Sequence, residues 1–437
     1  MADHAARRLV TRAGAVRFFY ASELLWSFAS TVSFTVTGVY FVSTLGLNPF
    51  ELVLVGTVME LSIFVFEVPT GVVADTYSRR LSVVIGWLVM GAGMALVGGV
   101  HAYLAVLAGY VVWGFGYTFT SGAYTAWITD EVGIDRVGRI LARGQQLSYA
   151  GAIAGLPVSV GLAVIDLGLA VAVGGGLLVL LAASGALLMP ETGFRRRPAG
   201  ERGTAWRELR ATAGAAGRYV RAERVLLLIM AIAFFAGAST ESFDRLREAQ
   251  FLRNVGLPSF GGLDPVVWFG VFGLGTLVIG VVAAEVLVRR FDRVGREGLA
   301  RLLFGVTALQ AGTVMLFALA GNLAVALAGY WLYYLTRSLA SPAFSVWINE
   351  NVTDSGVRAT VLSFTSQADA IGQVGGGPVL GALGNAFGLR AALLAGGALL
   401  LPALGLYGRA IRRGGEEPEL ERLPTPVTES SAARTPA

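Results

Sequence analysis

No cysteine and no lysine occur anywhere in the 437 residues, and histidine occurs only twice, at His4 and His101. The missing thiols exclude a disulfide framework and a Cys-ligated zinc site. The missing amine excludes a Walker A phosphate loop, whose lysine contacts the phosphates, and a Schiff-base nucleophile. Two histidines, one in an N-terminal tail and one in a short loop, leave little for a metal centre. Charge is scarce as well: 14% of residues are charged, where a soluble domain carries about 25%. The chain is instead apolar and rich in small residues, 55% hydrophobic with 58 glycines and a mean hydropathy of +0.65. Small residues let transmembrane helices approach closely, so the composition is that of an all-α polytopic membrane protein. No nucleophile motif or metal cluster is present, so neither an enzyme nor a cofactor is expected. Uphill movement of a solute would draw on an ion gradient, unless a separate ATPase subunit exists.

A bilayer span needs about 20 apolar residues. Twelve such stretches are legible, at 17–43, 51–74, 81–99, 102–129, 142–165, 167–189, 224–249, 265–288, 300–320, 323–350, 358–384 and 389–411. The shortest links carry turn and breaker residues, Gly46–Pro49, Asp166–Gly168 and Gly321–Asn322. With the N-terminus inside, every arginine except Arg245, Arg247, Arg253, Arg337 and Arg390 falls on the cytoplasmic side, as the positive-inside rule requires. The net charge of +5 is thereby accounted for by topology and calls for no nucleic-acid partner. Both termini are expected in the cytoplasm and the protein in the cell membrane. The first sixteen residues show no cleavage site, so no removable signal peptide is read there.

These spans divide into a cytoplasmic N-terminal tail (1–16), a six-helix bundle (17–190), a basic cytoplasmic linker (191–223), a second six-helix bundle (224–411) and a cytoplasmic tail (412–437). In the linker, Trp206, Leu209, Ala213 and Val220 recur near helical spacing. That pattern fits an interfacial amphipathic helix and equally a flexible basic linker. The tail, with Glu416, Glu417, Glu419 and Glu421 before a Pro/Thr/Ser/Ala run, has the composition of disorder.

The two bundles repeat one another. Gly109–Asp130, GYVVWGFGYTFTSGAYTAWITD, aligns without a gap to Gly329–Glu350, GYWLYYLTRSLASPAFSVWINE. Internal duplication of membrane bundles is chiefly a property of transporters. Gln146 to Pro157 and Gln367 to Pro378 form a second repeated pair at equal separation.

At the end of the second span stands Gly71-Val-Val-Ala-Asp75-Thr-Tyr-Ser-Arg79-Arg80, with a weaker copy, Val281-Val-Ala-Ala-Glu285-Val-Leu-Val-Arg289-Arg290, before the ninth. Together with the span count and the repeat, this resembles the signature loop of the major facilitator superfamily. The resemblance implies that superfamily's fold: 12 transmembrane helices in two pseudo-symmetric six-helix bundles around a central cavity. It implies that the loop and its copy latch the two halves on the cytoplasmic side, with Arg79 paired to Asp130 and Asp75 to Arg358. Gly71, lacking a side chain, should let span two approach a neighbour. The chain is similar to drug:proton antiporters of tetracycline or macrolide type through its Gly-rich, Pro-containing fifth span, its Phe66-Glu-Val-Pro-Thr-Gly71 run and its Glu241–Leu246 segment. It departs from them at Tyr110, where such antiporters often carry an arginine linked to proton coupling, so coupling here must use other groups.

An ionisable group at membrane depth is costly and functional by default. Glu23, Glu60, Glu67, Arg337 and Asp369 are such groups, and Glu241, Asp244, Arg245 and Glu248 line one face of span seven near its outer end. Glu23 and Glu67 have no evident basic partner and are, with Asp369, candidates for proton coupling. Arg337 and Asp369 come from adjacent spans and either neutralise one another or serve the site. The span-seven cluster reads as an extracellular gate or a solvated rim. Aromatic stripes that include Tyr117, Tyr124 and Tyr333 follow helical spacing; they face either a cavity, with Arg337 and Gln373, or the packed core.

The expected function is proton-coupled efflux of amphipathic or aromatic small molecules by alternating access, by a monomer whose partners are its small-molecule substrate, protons and the lipid bilayer. A carrier of a metabolite such as a sugar, peptide or siderophore is the alternative, and a non-transporting membrane sensor a remote one.

Overall fold

The computed structural model describes residues 2–194, 214, 217–259, 264–291, 295–352 and 358–414, and no strand occurs among them. Helices follow in the order α1 (Ala2–Val39), α2 (Pro49–Thr76), α3 (Arg79–Gly99), α4 (Tyr103–Thr120), α5 (Ala123–Val132), α6 (Ile134–Ile165), α7 (Leu167–Leu188), α8 (Arg224–Gln250), α9 (Val267–Phe291), α10 (Arg296–Leu319), α11 (Leu323–Asn351), α12 (Arg358–Phe387), α13 (Leu389–Ala398) and α14 (Leu400–Gly414). Among the described residues nine segments are long and apolar enough to cross a bilayer, and Val267–Ala283 is a shorter apolar stretch within α9. With the long but more polar α11 and α12, this is consistent with twelve crossings.

The turn residues read from the sequence act as helix caps. The Asn48 side chain accepts from Glu51 N at 3.0 Å while the Glu51 carboxylate accepts from Asn48 N at 2.9 Å, a reciprocal cap with Pro49 at the first helical position. Asp166 caps α7 through Leu169 N at 2.7 Å, and Asn322 caps α11 through Val325 N at 3.0 Å. Each such cap stabilises its helix by about 1 kcal/mol.

Three expectations change. The fourth span is not continuous, because it breaks between α4 and α5 at Ser121–Gly122. Gly122 has φ +73°, a conformation that a side chain strains. The last span divides into α13 and α14 at Leu399. The seventh span runs past 249, through a π-helical turn at Phe251–Val255, to Gly256. The amphipathic linker positions Trp206, Leu209 and Ala213, and the tail after Gly414, lie outside the described residues.

Helices α1–α7 pack chiefly on one another, as do α8–α14; the principal crossings between the groups are α2 with α12 and α8, and α6 with α9. The apolar packing is lopsided. On the arginine-poor face one cluster joins both groups, with Val36, Tyr40, Val53, Phe243, Phe251, Phe272, Phe317 and Tyr330 in a single buried body. On the arginine-rich face there are two separate clusters: Phe19, Trp87, Met90 and Trp127 in one, and Ile229, Leu303, Trp347 and Tyr407 in the other. The helices therefore close together at one face and stand apart at the other.

A contact that sequence reading missed ties down the start of the linker. Glu131, 3% exposed, accepts from Thr192 N at 2.5 Å, Thr192 Oγ1 at 2.7 Å and Gly193 N at 2.7 Å. Trp127 Nε1 donates to Pro190 O at 2.6 Å beside it. Glu131→Ala removes a charged acceptor from three donors and is expected to cost about 3 kcal/mol, since such bonds contribute about 1.5–3 kcal/mol each and unsatisfied donors add their own cost. Thermal unfolding of the purified protein in detergent checks this; an unchanged midpoint would contradict it.

Candidate functional site

Between the two helix groups lies a cleft of about 830 Å³, closed towards the shared core and open towards the arginine-rich face. α2 contributes Glu60, Phe64 and Glu67; α4 contributes Trp113 and Tyr117, with Ser121 at its break. α8 contributes Thr240, α11 Arg337 and Ser341, α12 Asp369 and Gln373, and α14 Tyr407. The seven-residue spacing of Glu60 and Glu67 sets both on one side of α2, and both line the cleft. Ser121 and Ser341, equivalent positions of the internal repeat, also line it.

Three carboxylates and one arginine are the charged lining groups among the described residues. The arginine's charge is already engaged. Arg337 Nη1 contacts Asp244 Oδ2 at 2.7 Å and donates to the Tyr333 hydroxyl at 3.3 Å. Asp369 instead accepts from Gln373 Nε2 at 2.7 Å. The neutralising partner of Arg337 is therefore Asp244 of span seven and not Asp369. Packing sets this choice: Phe243 stacks on Tyr333 with ring centroids 3.8 Å apart, which places the next residue of α8 beside the next turn of α11. Glu60, Glu67 and Asp369 are left on the wall as acidic groups with no lining arginine free to pair with them. Trp113 and Tyr117 stack beside them, ring centroids 5.4 Å apart and 13° from parallel.

Other candidate residues fall outside the cleft. Tyr124 packs on Phe19 at 5.3 Å and its hydroxyl meets Ser22 Oγ at 2.7 Å. Tyr333, on its stack with Phe243, is 1% exposed. Tyr333 is a core residue and Tyr124 packs half-buried against the core, as the helical stripe allowed. Glu23 lies at the α1–α6 contact, beside Gly144, and is not among the lining groups.

The span-seven cluster belongs to the closed face and is buried: Glu241 is 1% exposed. Arg245 pairs with it at 3.6 Å, and Arg247 with Glu248 at 2.8 Å. Both pairs press against the first helix group, Arg245 over Gly56 of α2 and Glu248 over Gly38 of α1. Further out, Arg253 Nη2 donates to Leu47 O at 2.7 Å, and Phe50 N donates to Asn385 Oδ1 at 3.1 Å. A solvated rim is excluded, and the halves are joined by buried charge.

At the open face, Arg79 Nη1 contacts Asp130 Oδ2 at 2.6 Å and Nη2 lies 3.7 Å from Asp75. Arg79 also lies over the Phe194 ring, and the Arg80 guanidinium donates to Ala186 O. The expected Asp75–Arg358 contact is absent here: Arg358 donates to Val352 O at 3.3 Å. Gly71 is likewise not at a close approach, since a side chain there would meet nothing within 4 Å. Both differences follow from the separation of the halves at this face. Glu285 is exposed on α9; the side chains of Arg289 and Arg290 lie outside those described. Asp130→Asn is expected to cost at most about 1 kcal/mol, because the pair is partly exposed. Its melting midpoint in detergent should thus fall less than that of Glu131→Ala.

The profile of the Major Facilitator Superfamily matches residues 19–368. The chain belongs to the Major Facilitator Superfamily. It is a multi-pass membrane protein of that superfamily's fold, and the solved structures agree. A point mutant of the nucleoside transporter NupG superposes with a TM-score of 0.72 at 13% identity, covering 91% of this chain and 99% of that one. A bacterial homolog of the human lysosomal transporter Spinster, inward-facing and unoccupied, gives 0.69 at 14% identity over 92% and 97%. A POT family transporter in complex with a thioalcohol-conjugated peptide gives 0.69 at 13% over 93% and 96%. Among curated proteins, an uncharacterized MFS-type transporter, YxaM of Bacillus subtilis (strain 168), is 27% identical over 94 residues. That match spans 22% of this chain and 24% of the relative.

Proposed function

We propose that this superfamily member is a secondary transporter that exchanges small amphipathic cations for protons, exporting them from a cytoplasmic, arginine-rich face by alternating access. The observation that carries this reading is the cleft wall. Glu60, Glu67 and Asp369 line it with a single arginine, which Asp244 already engages, beside the stacked Trp113–Tyr117 pair, and Arg245 lies behind Glu60 at Gly56. Carboxylates that release protons attract a cation, and ring faces hold its apolar body through cation–π contact. Exchange follows because one site cannot favour both occupants at once. The open cleft with its separated Asp75 and Arg358 supports an inward-facing state, and the buried charges of span seven support the role of outer gate. Drug or antibiotic export is the finest form of this reading. Gln310, Gln367 and Gln373 also line the cleft and would suit a hydrogen-bonding metabolite such as a nucleoside or peptide.

Purified protein in liposomes with an acid lumen tests it, with ethidium as the cation. One pH unit is worth about 1.4 kcal/mol per proton, so one-for-one exchange should concentrate ethidium about tenfold per unit of gradient. Nigericin should abolish the accumulation. Absence of accumulation, together with uridine or dipeptide uptake by the same liposomes, would assign the cleft to a metabolite instead.

A further inference from the structure

The two helix groups differ in how they use their outer helices. α3 and α7 line neither the cleft nor the lateral depression between α1, α6, α9 and α11. A side chain at Gly91 or Gly98 of α3 would run into the α7 backbone at Gly175 or Gly168, so these two helices pack backbone to backbone. Their counterparts in the second group, α10 and α14, both reach the cleft, through Leu303, Thr307 and Gln310 on one and Ala403 and Tyr407 on the other. The cleft therefore has an arm inside the second group. The internal repeat shows what changed there. α3 ends at Gly99 and α10 at Leu319, in the register that matches Gly109 to Gly329. That register sets Thr307 at the place of Trp87 and Gln310 at the place of Met90, both buried in the apolar cluster of the first group. The first exchange is balanced. Trp87 packs on Gly185 of α7, whereas Thr307 lies within hydrogen-bonding reach of Tyr407 on α14, so a large and a small side chain have traded sides. The second is not. Gln310 is only 9% exposed, it lines the cleft, and its side-chain amide has no partner among the described residues. A buried amide is seldom left so.

We infer that this arm is a specificity pocket for an uncharged group that offers a donor and an acceptor side by side, a carboxamide or a lactam, carried by the substrate of the cleft. This deepens the transport reading and rests on it only for the cleft being the substrate's path; the cation's charge plays no part in the recognition. A glutamine amide presents a carbonyl and an N–H on one edge, and the edge of a carboxamide or lactam meets both at once. A ketone or an ether meets one and leaves the other dry. The remaining walls compete little: Leu303 and Ala403 are apolar, and Thr365 is spent on Val361 O at 2.9 Å. A site built to pair a polar group rejects the analogue that lacks it, because its own buried group is then left unpaired.

Equilibrium binding to detergent-purified protein tests the inference with a matched pair of probes. Nicotinamide carries a carboxamide on a small neutral ring; 3-acetylpyridine is the same ring with a methyl in place of the amide nitrogen. The wild type is expected to bind nicotinamide about tenfold more tightly, which is the size of one neutral hydrogen bond. Gln310→Met restores the side chain that the first group carries at this place and should erase the preference. Tetraphenylphosphonium, a cation with no hydrogen-bonding group, should bind this variant within about twofold of the wild type, which shows that it folds, because the cation acts through the carboxylate wall. Glu67→Gln should do the reverse, weakening tetraphenylphosphonium and leaving the preference for nicotinamide intact. A wild type that binds neither ring or does not tell them apart, or a preference that survives in Gln310→Met, overturns the pocket. Loss of both nicotinamide and tetraphenylphosphonium in Gln310→Met also overturns it, since the amide would then be a support of the bundle. Failure of tetraphenylphosphonium alone to bind the wild type overturns the cation reading and leaves the pocket standing.

Discussion

Gly56→Leu is expected to open the closed face and move the balance between conformations by about 5–150-fold, the range that 1–3 kcal/mol produces. A side chain at Gly56 would run into the Arg245 guanidinium and the Glu241 carboxylate, at the point where span seven lies on α2. Overpacking of this kind costs about 1–3 kcal/mol, and it acts only while the face is closed. The fold should survive, because each helix group keeps its own cluster at the arginine-rich face. The natural absence of cysteine makes the measurement simple. Thr240→Cys, in the cleft wall, should be labelled by an impermeant maleimide from the arginine-rich side. In the Gly56→Leu background it should be labelled from the opposite side. Gly71→Leu, where a side chain meets nothing, is the control and should not alter the pattern. Labelling that stays on one side in Gly56→Leu would show that the Arg245–Gly56 contact is no gate.

Asp244→Asn and Arg337→Gln are expected to act in opposite directions on tetraphenylphosphonium. Removing Asp244 frees the positive charge of Arg337 at the end of the cleft. A unit charge about 7 Å from a bound cation, at an effective dielectric of about 20, repels it by about 2 kcal/mol, which is about thirtyfold in Kd. Removing Arg337 takes that charge away and leaves Asp244 with Arg247 at 3.3 Å, so binding should hold or tighten while the fold stays intact. The double variant should return near the wild-type affinity. Titration of the purified proteins decides it: if both single variants weakened the cation alike, the pair would be structural support, with no share in the field that the substrate meets.

Architecture was legible because it is written in long-range pattern: apolar runs of bilayer length, arginine placement and the repeat of Gly109–Asp130. Helix starts were legible where a cap announces them, as at Asn48, Asp166 and Asn322. Pairing across the bundle was less so. Arg337 and Asp369 are neighbours in span order, but the partner of Arg337 comes from α8. The stack of Phe243 on Tyr333 sets Asp244 against Arg337, and no periodicity announces a register between helices so distant in the chain. Glu60 was visible as a buried charge, yet only the geometry groups it with Glu67 and Asp369. The aromatic stripes divide for a similar reason. Tyr117 and Tyr124 are two turns apart, but the helix breaks between them at Gly122 and the second packs half-buried against the core.

The lengths of the helices carry one more consequence. α3 and α7, with 21 and 22 residues, extend about 32 Å at 1.5 Å per residue and line none of the cavities. They match the hydrocarbon thickness of a bilayer, about 30 Å. Two segments that bear on the cavities are longer: Ile134–Ile165 and Arg224–Val255 have 32 residues each, about 48 Å if straight. Where the apolar run of such a segment exceeds that thickness, tilting accommodates it, and mismatch costs a fraction of a kcal/mol per ångström. The acyl-chain length of the surrounding lipid thus bears unequally on periphery and centre, and can bias which face of the protein stands open with no ligand present.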